Sequence, residues 1–501
     1  MNPTVALIPS AYKSGLVYSI LPASGRGDFN FNRPSSATRV NKDGLVEKMS
    51  SNNLGSELVT NGNFATDSDW TKVNSTISGG KGNMDSTSST SLLFQSSILV
   101  IGKTYKATLD VSNYNGIGTC ALIDSSGATQ QAFTSNGSKE FYFTHGGGAT
   151  NLTFRATSGG VFSIDNVSVK EVMSDVPRLD YTNGNCPQLL LEPQSENLAL
   201  YSGDLTNAEW EPFGNVVVTG GYIAPDGTNS AVKVSCDNIV SNSVLIQQSI
   251  GNSTRSRTIY ARTVKTGTTG IANLCSYYGN NNNEFTITDQ WQRFEVNGTS
   301  TATGQSDFYA IDFRGTTDLD EILLWGGQIE DLTYATSYIP TEATSVTRSR
   351  DLMTDSMASR PEITSDDWTL FLDFNKSDLG SDNCVSINDG TNDNSIIINN
   401  RDQNELAFIL NQGSTVLSSY IYDITGIDDL KVSFSSTDTG ASMVVNGVEI
   451  DRLDDGRFDA SSLIQIDFTE YGTTNEFAGR VNDFRYYNVA LSLNERIALT
   501  K

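Results

Sequence analysis

Apolar and polar residues alternate with a period of two in short runs along most of this 501-residue chain. In the first third, such runs occupy residues 103–111, 139–144, 151–156 and 160–172. Because successive side chains of a strand point to opposite faces of a sheet, each run predicts a half-buried strand. Strands of this length at this spacing, separated by turn-forming Asn, Asp and Gly, predict a β-sandwich over residues 57–172.

A second series of alternating runs begins at residue 197 and follows the same plan. It opens with NLALYSGDLTNAEW, much as the first series opens with ELVTNGNFATDSDW. Its strands are predicted at residues 243–250, 258–265, 291–296 and 307–313, and it closes with ILLWGGQIE at 322–330. The pattern therefore predicts two related sandwiches.

The last third of the chain has its own alternating runs. DWTLFLDF begins at residue 367, and SMVVNGVEID places two strands around an Asn-Gly turn. FAGRVNDFRYY then predicts a final strand, followed by a short helix that begins near Ser492. Ser492 and Glu495 have the spacing of a capping box, which favours that helix start.

Composition narrows the possible functions. Asp and Glu number 58 against 33 Lys and Arg, the formal net charge is −25, and there is no basic block. Proteins that bind nucleic acid neutralise phosphates with clustered Lys and Arg, so we expect no nucleic-acid binding. The most apolar stretch, residues 92–101, is too short to cross a bilayer, so we expect no membrane insertion. The first 15 residues lack the features of a secretory signal, which predicts synthesis in the cytoplasm without one.

Few residues are suited to catalysis. His145 is the single histidine and lies in the turn-like sequence THGGG, so a solvated loop position is expected for it. A glycosidase needs only two carboxylates, and Asp467 with Glu470 is the pair worth inspection, although nothing near them marks a cleft. The five cysteines are far apart and predict buried free thiols. We therefore expect no enzymatic activity.

Two stretches resemble a known module. Residues 27–47 (GDFNFNRPSSATRVNKDGLVE) and 176–198 (VPRLDYTNGNCPQLLLEPQSENL) resemble the two halves of an N-terminal module in virion-surface proteins of tailed bacteriophages, notably crAss-like phages. In those proteins the halves run almost continuously. The resemblance therefore implies that the first sandwich is an insertion, and that the two halves pack together.

The sandwiches also resemble known families. Residues 57–172 resemble jelly-roll carbohydrate-binding modules at both ends, and residues 477–500 resemble the end of a concanavalin/laminin-G-type sandwich. The jelly-roll resemblance implies that Trp70, Trp210 and Trp325, which sit within its strand and turn signatures, are core residues. The predicted fold class is all-β and multi-domain: two jelly-roll β-sandwiches, a concanavalin/laminin-G-like β-sandwich and a small split N-terminal attachment module. The predicted domains are residues 1–54 and 174–196 (attachment module), 55–173 (inserted jelly roll), 197–350 (second jelly roll), 351–364 (linker) and 365–501 (laminin-G-like).

These resemblances imply a non-enzymatic structural protein at the virion surface, a head fibre or capsid decoration that adheres to glycans. A tail fibre with a receptor-binding role and a polysaccharide depolymerase are the alternatives. The implied partners are capsid or other virion proteins, glycans of the host surface or mucus, and further copies of this chain. Fibres on symmetric particles are usually homo-oligomers, so a dimer or trimer is expected.

Two kinds of binding site are predicted. Exposed aromatic rings beside Asn residues suit sugar binding, which makes Tyr114, Tyr277, Tyr278 and Asn280 candidates, although paired tyrosines are also common in ordinary packing or at subunit interfaces. A structural calcium ion takes oxygen ligands. The oxygen-rich turns at Asp389 and Asp393 fit that chemistry, although Asx-Gly turns have this composition without metal. The jelly-roll resemblance additionally implies Glu57 and Asp165 as calcium ligands.

Overall fold

The structure is a computed structural model that describes most of the chain. It describes residues 2–13, 15–21, 27–33, 35–49, 54–100, 103–123, 129–145, 150–172, 176–237, 239, 243–249, 253–277, 283–300, 306–356, 367–376, 383–401, 404–437, 440–453, 463, 465–468 and 477–501. Within them, the protein forms 42 strands and one short helix. The chain divides into a main unit, Met1–Met49 with Asp175–Lys501, and an inserted unit, Ser50–Ser174.

In the described part of the chain, the strands before the insertion are β1 Val5–Leu7, β2 Tyr12–Lys13, β3 Leu16–Val17, β4 Phe29–Asn32, β5 Ala37–Val40 and β6 Val46–Met49. The inserted unit contains β7 Leu54–Glu57, β8 Thr71–Val73, β9 Ser75–Ser78, β10 Lys81–Asp85, β11 Ser91–Gln95, β12 Thr104–Ser112, β13 Thr119–Ile123, β14 Thr129–Ala132, β15 Gly137–Thr144, β16 Leu152–Thr157 and β17 Val161–Val172.

After the insertion come β18 Arg178–Asp180, β19 Gln188–Leu191, β20 Ser195–Asn197, β21 Glu211–Pro212, β22 Val217–Tyr222, β23 Ala231–Ser235, β24 Val244–Ser249, β25 Thr254–Thr263, β26 Gly270–Ser276, β27 Glu284–Ile287, β28 Gln292–Thr299, β29 Ser306–Asp312, β30 Glu321–Glu330 and β31 Val346–Arg348. The remaining elements are β32 Leu352–Ser356, β33 Trp368–Lys376, β34 Asn383–Asn388, β35 Ser395–Arg401, β36 Glu405–Gln412, β37 Thr415–Asp423, β38 Asp429–Thr437, β39 Gly440–Val445, β40 Val448–Leu453, β41 Gln465–Asp467, β42 Gly479–Tyr487 and helix α1 Leu493–Leu499.

The inserted unit is a sandwich of two sheets. One has the strand order β15-β12-β17-β10-β9, with β7 also paired to β17, and the other has the order β14-β13-β16-β11-β8. Strands β12, β15, β16 and β17 coincide with the alternating runs of the sequence, so those predictions are confirmed. Alternation directs one set of apolar side chains between the sheets, where Leu109, Phe154 and Ile164 are at most 3% exposed.

A second sandwich, built from β21–β30 in the main unit, repeats this plan. Its sheets have the orders β28-β25-β30-β23-β22 and β27-β26-β29-β24-β21, which match those of the inserted unit strand for strand. An irregularity also recurs. The register shifts between Thr108 and Asp110 where β12 pairs with β17, and between Thr258 and Tyr260 where β25 pairs with β30. The prediction of two related sandwiches is therefore confirmed.

The third sandwich is built from both ends of the chain. Its eight-stranded sheet has the order β18-β19-β42-β33-β38-β39-β40, with β1 also paired to β42. Its nine-stranded sheet has the order β2-β3-β4-β32-β41-β34-β35-β36-β37. Strands β1–β4 and β18–β19 flank the insertion in sequence, and they complete sheets made mainly from the C-terminal third.

These pairings correct the expectation of a small attachment module that stands apart. Strand β4 pairs with β32 and strand β19 pairs with β42, so each half joins a sheet of the third sandwich. Phe29, Phe31, Leu189 and Leu191 all belong to the buried core of that sandwich. Strands of only a few residues cannot bury their apolar side chains alone, which is why both halves join larger sheets.

The linker predicted at residues 351–364 is corrected at its start. Strand β32 pairs with both β4 and β41, and Met353 is fully buried in the core of the third sandwich. Residues 357–364 lie outside the described residues. The chain therefore enters the third sandwich directly after the second one ends.

A set of buried charges, which we call the arginine cluster, joins the two halves to both sandwiches of the main unit. Its members are Arg33, Arg178, Arg348, Glu192 and Asp351. Arg33 Nη1 lies 2.7 Å from Asp351 Oδ1, and Arg178 Nη1 lies 2.6 Å from Glu192 Oε2. Arg178 also pairs with Asp351, and Arg348 pairs with Glu192. Buried charges are tolerated when they are paired and hydrogen-bonded, as they are in this cluster.

The cluster keeps Asp351 ionised. Burial alone would raise the pKa of this carboxyl, but Arg178, Arg33 and Arg348 hold the pKa below its usual value. The backbone N of Glu192 also donates to Asp351 Oδ2 at 2.9 Å. One carboxylate therefore connects segments that are more than 300 residues apart in the chain, as the Arg33–Asp351 separation of 318 residues shows.

Helix α1 ends the fold as the sequence predicted. Ser492 is its N-cap, and the reciprocal hydrogen bonds with Glu495 form a complete capping box. Among the described residues, no helix has the length and apolar character needed to cross a membrane.

Candidate ligand-binding cavity

The β5–β6 hairpin is a two-stranded sheet of its own in the main unit. Its turn is organised by Asn41, whose side-chain oxygen accepts hydrogen bonds from the backbone N of Asp43 at 2.9 Å and of Leu45 at 3.0 Å. Gly44 has a φ of 77°, a left-handed conformation that glycine adopts without a Cβ clash. The sequence Asn-Lys-Asp-Gly thus shapes the hairpin locally.

Hydrogen bonds hold the hairpin on two sides. Towards the second sandwich, Val46 N donates to the carbonyl of Pro225 at 3.0 Å, and Thr38 Oγ1 donates to a carbonyl at the end of that sandwich. Towards β18, Val40 N donates to Asp180 Oδ2 at 2.9 Å. The hairpin is therefore fixed between the second sandwich and the segment that follows the insertion.

A cavity of about 670 Å³, which we call the hairpin cavity, lies between the hairpin and the second sandwich. Ligand sites in proteins typically enclose ~300–1,000 Å³, so this volume suits a small molecule or a short oligomer. Aromatic rings, hydroxyl groups and carboxylates line it together. This mixture is typical of sites that take polar ligands with apolar ring faces.

Two aromatic rings form the floor of the hairpin cavity. The ring centroids of Trp325 and Tyr338 are 4.6 Å apart, and both side chains are 3% exposed. The indole N of Trp325 donates to Ser230 Oγ at 2.8 Å, and the Tyr338 hydroxyl shares a 2.7 Å hydrogen bond with Ser202 Oγ. Burial raises the pKa of Tyr338, so its hydroxyl stays neutral. The expectation that Trp325 is a core residue is confirmed, and its edge also faces the cavity.

Gly203 keeps the space above this floor open. A Cβ at this position would lie 3.5 Å from the Tyr338 hydroxyl and 3.9 Å from Trp325 Nε1, which are ordinary contact distances. A larger side chain at Gly203 would therefore project over the aromatic floor without requiring the backbone to move.

Carboxylates form the rim of the hairpin cavity. Asp204 Oδ1 accepts hydrogen bonds from the backbone N of Thr206 at 3.1 Å and from its Oγ1 at 2.5 Å. Asp226 Oδ1 accepts the same two hydrogen bonds from Thr228, at 2.9 and 2.7 Å. Among the described residues, the second oxygen of each aspartate has no hydrogen-bond partner, and neither has the carboxylate of Glu342. These oxygens are available to accept hydrogen bonds from a ligand.

Another cavity, of about 390 Å³, lies on the other side of the hairpin, and we call it the second cavity. Its polar lining includes Arg39, Arg293 and Arg480 together with Asp180. Burial would raise the pKa of Asp180, but Arg480 and hydrogen bonds from Val40 and Thr182 hold the pKa below its usual value. The two cavities therefore differ in charge although they share part of one wall.

Of the predicted sugar-binding tyrosines, Tyr114 and Tyr277 lie within the described residues, and neither lines the hairpin cavity or the second cavity. Tyr277 is buried, and the guanidinium of Arg257 covers its ring at 4.3 Å, so a cation already occupies the ring face that a sugar would use. This corrects the prediction for Tyr277. Tyr278 and Asn280 lie outside the described residues. Tyr114 is half-buried against the core of the inserted unit, beside β12.

The calcium ligands implied for the inserted unit already have protein partners. Both carboxylate oxygens of Glu57 accept hydrogen bonds, from Val59 N, Val169 N and Ser168 Oγ. Asp165 Oδ1 accepts a hydrogen bond from the backbone N of Asn166 at 2.7 Å. Calcium binding by this pair stays a prediction.

The other predicted calcium ligands organise a turn. Asp389 Oδ1 accepts from the N and Oγ1 of Thr391, and its Oδ2 accepts from Asn394 Nδ2 at 2.7 Å. Burial opposes ionisation of Asp389, but these hydrogen bonds keep its pKa below the usual value. Asp393 is exposed, and its carbonyl accepts from Ser414 N. Within the part of the chain that the structure describes, no three His, Cys, Asp or Glu side chains are grouped to hold a metal ion.

Two other expectations about chemistry concern buried groups. His145 is 1% exposed rather than solvated, and its backbone N donates to Lys103 O at 3.0 Å. Asp467 is 4% exposed, burial raises its pKa, and it accepts hydrogen bonds from Asn388 and Gln465. Glu470, the other member of the proposed carboxylate pair, lies outside the described residues.

Sequence reasoning did not identify the hairpin cavity. Its walls come from the hairpin near residue 45, from turns near residues 204 and 226, and from the segment near residue 340. The one local signal is the Asp-x-Thr pattern at Asp204 and Asp226, which marks two tight turns that leave a carboxylate oxygen free.

Comparison with known proteins gives structural neighbours only. No protein-family model matches the chain, and no curated protein matches it. The CBM40 domain of the Ruminococcus gnavus IT-sialidase, bound to α2,3-sialyllactose, is similar at 18% identity over 29% of this chain and 87% of its own, with a TM-score of 0.25. The CBM22 tandem of Xyn10C from Paenibacillus barcinonensis is similar at 12% identity over 55% of this chain and 98% of its own, with a TM-score of 0.30.

A third neighbour is Domain 4 of AbnA, a GH43 extracellular arabinanase from Geobacillus stearothermophilus, in complex with arabinotriose. It is similar at 13% identity over 34% of this chain and 82% of its own, with a TM-score of 0.24. The structures that resemble parts of this chain thus include carbohydrate-binding modules.

Proposed function

We propose that this protein is a non-enzymatic surface protein of a bacteriophage particle, a head fibre or capsid decoration, that binds glycans in the hairpin cavity. The virion assignment rests on the resemblance of residues 27–47 and 176–198 to a module of such proteins. The hairpin cavity is the observation that supports ligand binding.

The chemistry of the hairpin cavity suits a saccharide. Sugars present apolar ring faces and hydroxyl groups, so they bind where aromatic rings and hydrogen-bond acceptors are adjacent. Trp325 and Tyr338, which are almost fully buried, contribute ring edges to the floor of the cavity, and Asp204, Asp226 and Glu342 supply acceptors around it. Because residues 37–47 belong to the phage-like stretch and form one wall, that stretch contributes to binding in this proposal as well as to attachment.

Binding at the hairpin cavity is tested by filling it. A glycan array probed with the full chain, followed by calorimetry on the strongest binder, should give binding that Gly203→Leu abolishes, because the new side chain covers the aromatic floor. Gly203→Ala is the matched control and should retain most binding, since its Cβ meets neighbours at ordinary distances. Binding that survives Gly203→Leu would refute this site.

The virion role is tested on particles. Cryo-electron microscopy of purified phage should find the protein as a dimer or trimer on the head, and density on the tail instead would support the tail-fibre alternative. The raised pKa of Asp467 is the one observation that favours a depolymerase. Release of reducing ends from capsular polysaccharide, lost in Asp467→Asn, would establish that alternative.

A further inference from the structure

We infer that the hairpin cavity selects saccharides that are uncharged or carry an amine, and rejects those that carry carboxylate, sulfate or phosphate groups. This inference rests on the proposed glycan binding and adds the class of ligand. It follows from the charges and hydrogen-bonding groups that line the cavity.

The lining of the hairpin cavity is strongly acidic. Among the residues that the structure describes, its carboxylates are Glu47, Asp204, Asp226 and Glu342, and its cationic side chain is Lys48. Glu47 is partly compensated from outside the cavity, because Arg39 donates to its Oε2 from Nε at 3.1 Å and from Nη2 at 3.0 Å. Three further carboxylates then remain against one ammonium. An anionic ligand would therefore meet net repulsion.

Hydrogen-bonding capacity points the same way. The aromatic floor has few hydrogen-bond donors left for a ligand, because Trp325 Nε1 already donates to Ser230 and the Tyr338 hydroxyl shares a hydrogen bond with Ser202. The open oxygens of Asp204 and Asp226 can only accept, so a ligand must bring donors to them. Sugar hydroxyls and ammonium groups are donors, whereas an ionised carboxylate or sulfate is only an acceptor. Burying acceptor against acceptor leaves both groups unsatisfied.

The second cavity is less acidic, because each of its carboxylates has an arginine partner: Asp180 pairs with Arg480, and Glu192 pairs with Arg178. Arg39, Arg293 and Arg480 line it with Asp180 and Glu192, and Trp291 adds an aromatic ring. An acidic saccharide that binds this protein is therefore more compatible with the second cavity than with the hairpin cavity. A test must distinguish binding in the hairpin cavity from binding in the second cavity. Of these two cavities, Gly203 lines only the hairpin cavity, and Trp291 lines only the second cavity.

The first experiment is a glycan array with neutral, amine-bearing and acidic saccharides, probed with the wild-type full chain, Gly203→Leu and Trp291→Ala. Every signal that Gly203→Leu removes should belong to the neutral or amine-bearing classes. Acidic signals that survive Gly203→Leu and disappear in Trp291→Ala agree with the inference, because they report the second cavity. Acidic signals removed by Gly203→Leu would overturn the inference and leave the proposed function standing. An absence of any signal sensitive to Gly203→Leu would overturn both.

The second experiment tests the cause. The strongest neutral binder is compared by calorimetry with the same oligosaccharide oxidised to carry a carboxylate, and we expect binding at least about tenfold weaker, which corresponds to ~1.4 kcal/mol. The difference in affinity between the neutral and the oxidised oligosaccharide should become smaller as salt is raised from about 0.01 to 1 M, because the Debye length falls from ~30 to ~3 Å. A difference in affinity that does not change with salt would overturn the electrostatic cause.

Variants then locate the charge. Asp204→Asn with Asp226→Asn removes two charges while keeping an Oδ1 that accepts from Thr206 and Thr228, so the turns are preserved. The double variant should bind the oxidised oligosaccharide severalfold more tightly than the wild type does. Glu209→Gln is the matched control, because Glu209 is exposed and does not line the cavity. This variant should leave the ratio of the two affinities, for the neutral and the oxidised oligosaccharide, unchanged. Equal effects of the double variant and the control would overturn the inference.

Discussion

Replacement of Arg178 by methionine tests whether the arginine cluster holds the main unit together. Arg178 is fully buried, and its Nη1 contacts Glu192 Oε2 at 2.6 Å, Ser337 Oγ at 2.7 Å and Thr38 O at 3.1 Å. Its Nη2 pairs with Asp351. Methionine fills part of the volume and removes all of these hydrogen bonds and the charge.

The expected cost follows from what Arg178→Met leaves behind. Glu192 keeps Arg348, and Asp351 keeps Arg33, but each carboxylate loses one of its charged partners in a buried site. Removal of one partner from a buried ion pair typically costs ~3–5 kcal/mol. We expect a loss in the free energy of unfolding of the main unit at the lower end of that range, about 3 kcal/mol, because one cation remains beside each carboxylate.

The assay is urea unfolding followed by tryptophan fluorescence in a Trp70→Phe background. The other tryptophans belong to the main unit, so the signal then reports that unit alone. This separation matters because a protein with two units does not unfold in one two-state step.

Lys233→Met is the matched control for Arg178→Met. Its partner Glu321 lies 3.4 Å away, and the two side chains are 28% and 26% exposed. Exposed pairs of this kind contribute ~0–1 kcal/mol. If Arg178→Met lowers the free energy of unfolding by no more than Lys233→Met does, the arginine cluster does not stabilise the main unit.

Four further predictions concern other parts of the molecule. Folding lowers the pKa of Asp351, so the ionised carboxylate contributes its full stability above the unfolded pKa of ~3.9, and this stability is lost as the pH falls through the folded pKa. In Asp351→Asn, the urea concentration at the unfolding midpoint should therefore fall less steeply below about pH 4 than it does in the wild type. Gly327→Ala should lower the melting temperature, since a Cβ there would lie 2.4 Å from the Trp210 ring and overpacking costs ~1–3 kcal/mol. Ser492→Ala should cost ~1 kcal/mol and speed hydrogen exchange in α1, as loss of an N-cap does. Calcium and a chelator should give equal melting temperatures, because the oxygens of Glu57 and Asp389 already accept protein hydrogen bonds, and a calcium-dependent rise that Asp389→Ala removes would contradict this.

Alternation made the strands predictable, but it did not predict their partners. Strands β12, β17 and β30 lie where the runs of apolar residues are long, and the matching sandwich plans followed from similar openings and closings. The period of two fixes which face of a strand is buried and contains no information about the neighbouring strand. The pairing of β1 with β42 and of β4 with β32 was therefore outside the reach of the sequence.

The site was less predictable than the fold. Tyr277 stands next to an Asn-rich stretch that suggested exposure, yet its ring is buried under Arg257, and no periodic pattern reveals such a pair. The hairpin cavity combines segments near residues 45, 204, 226 and 340, which come together only through long-range packing. The local pattern of Tyr and Asn residues suggested sugar binding, whereas the position at which aromatic rings and carboxylates lie together depends on long-range packing.

The sequence of the third sandwich is interrupted twice, by the inserted unit and by the second sandwich, and in each of these the first and last segments pair with each other. Leu54 faces Val172 at the two ends of the inserted unit, and Asn197 faces Val346 at the two ends of the second sandwich. Each of these bodies, once folded, brings its own ends together, so the third sandwich has only short gaps to close around them. Since each doubling of an open loop costs ~0.6 kcal/mol in closure entropy, prior folding of both bodies lowers the cost of joining Leu7 to Phe484. The separation of strands β1–β4 from β18–β19 along the chain is therefore compatible with a stable core, because the two ends of the inserted unit pair with each other.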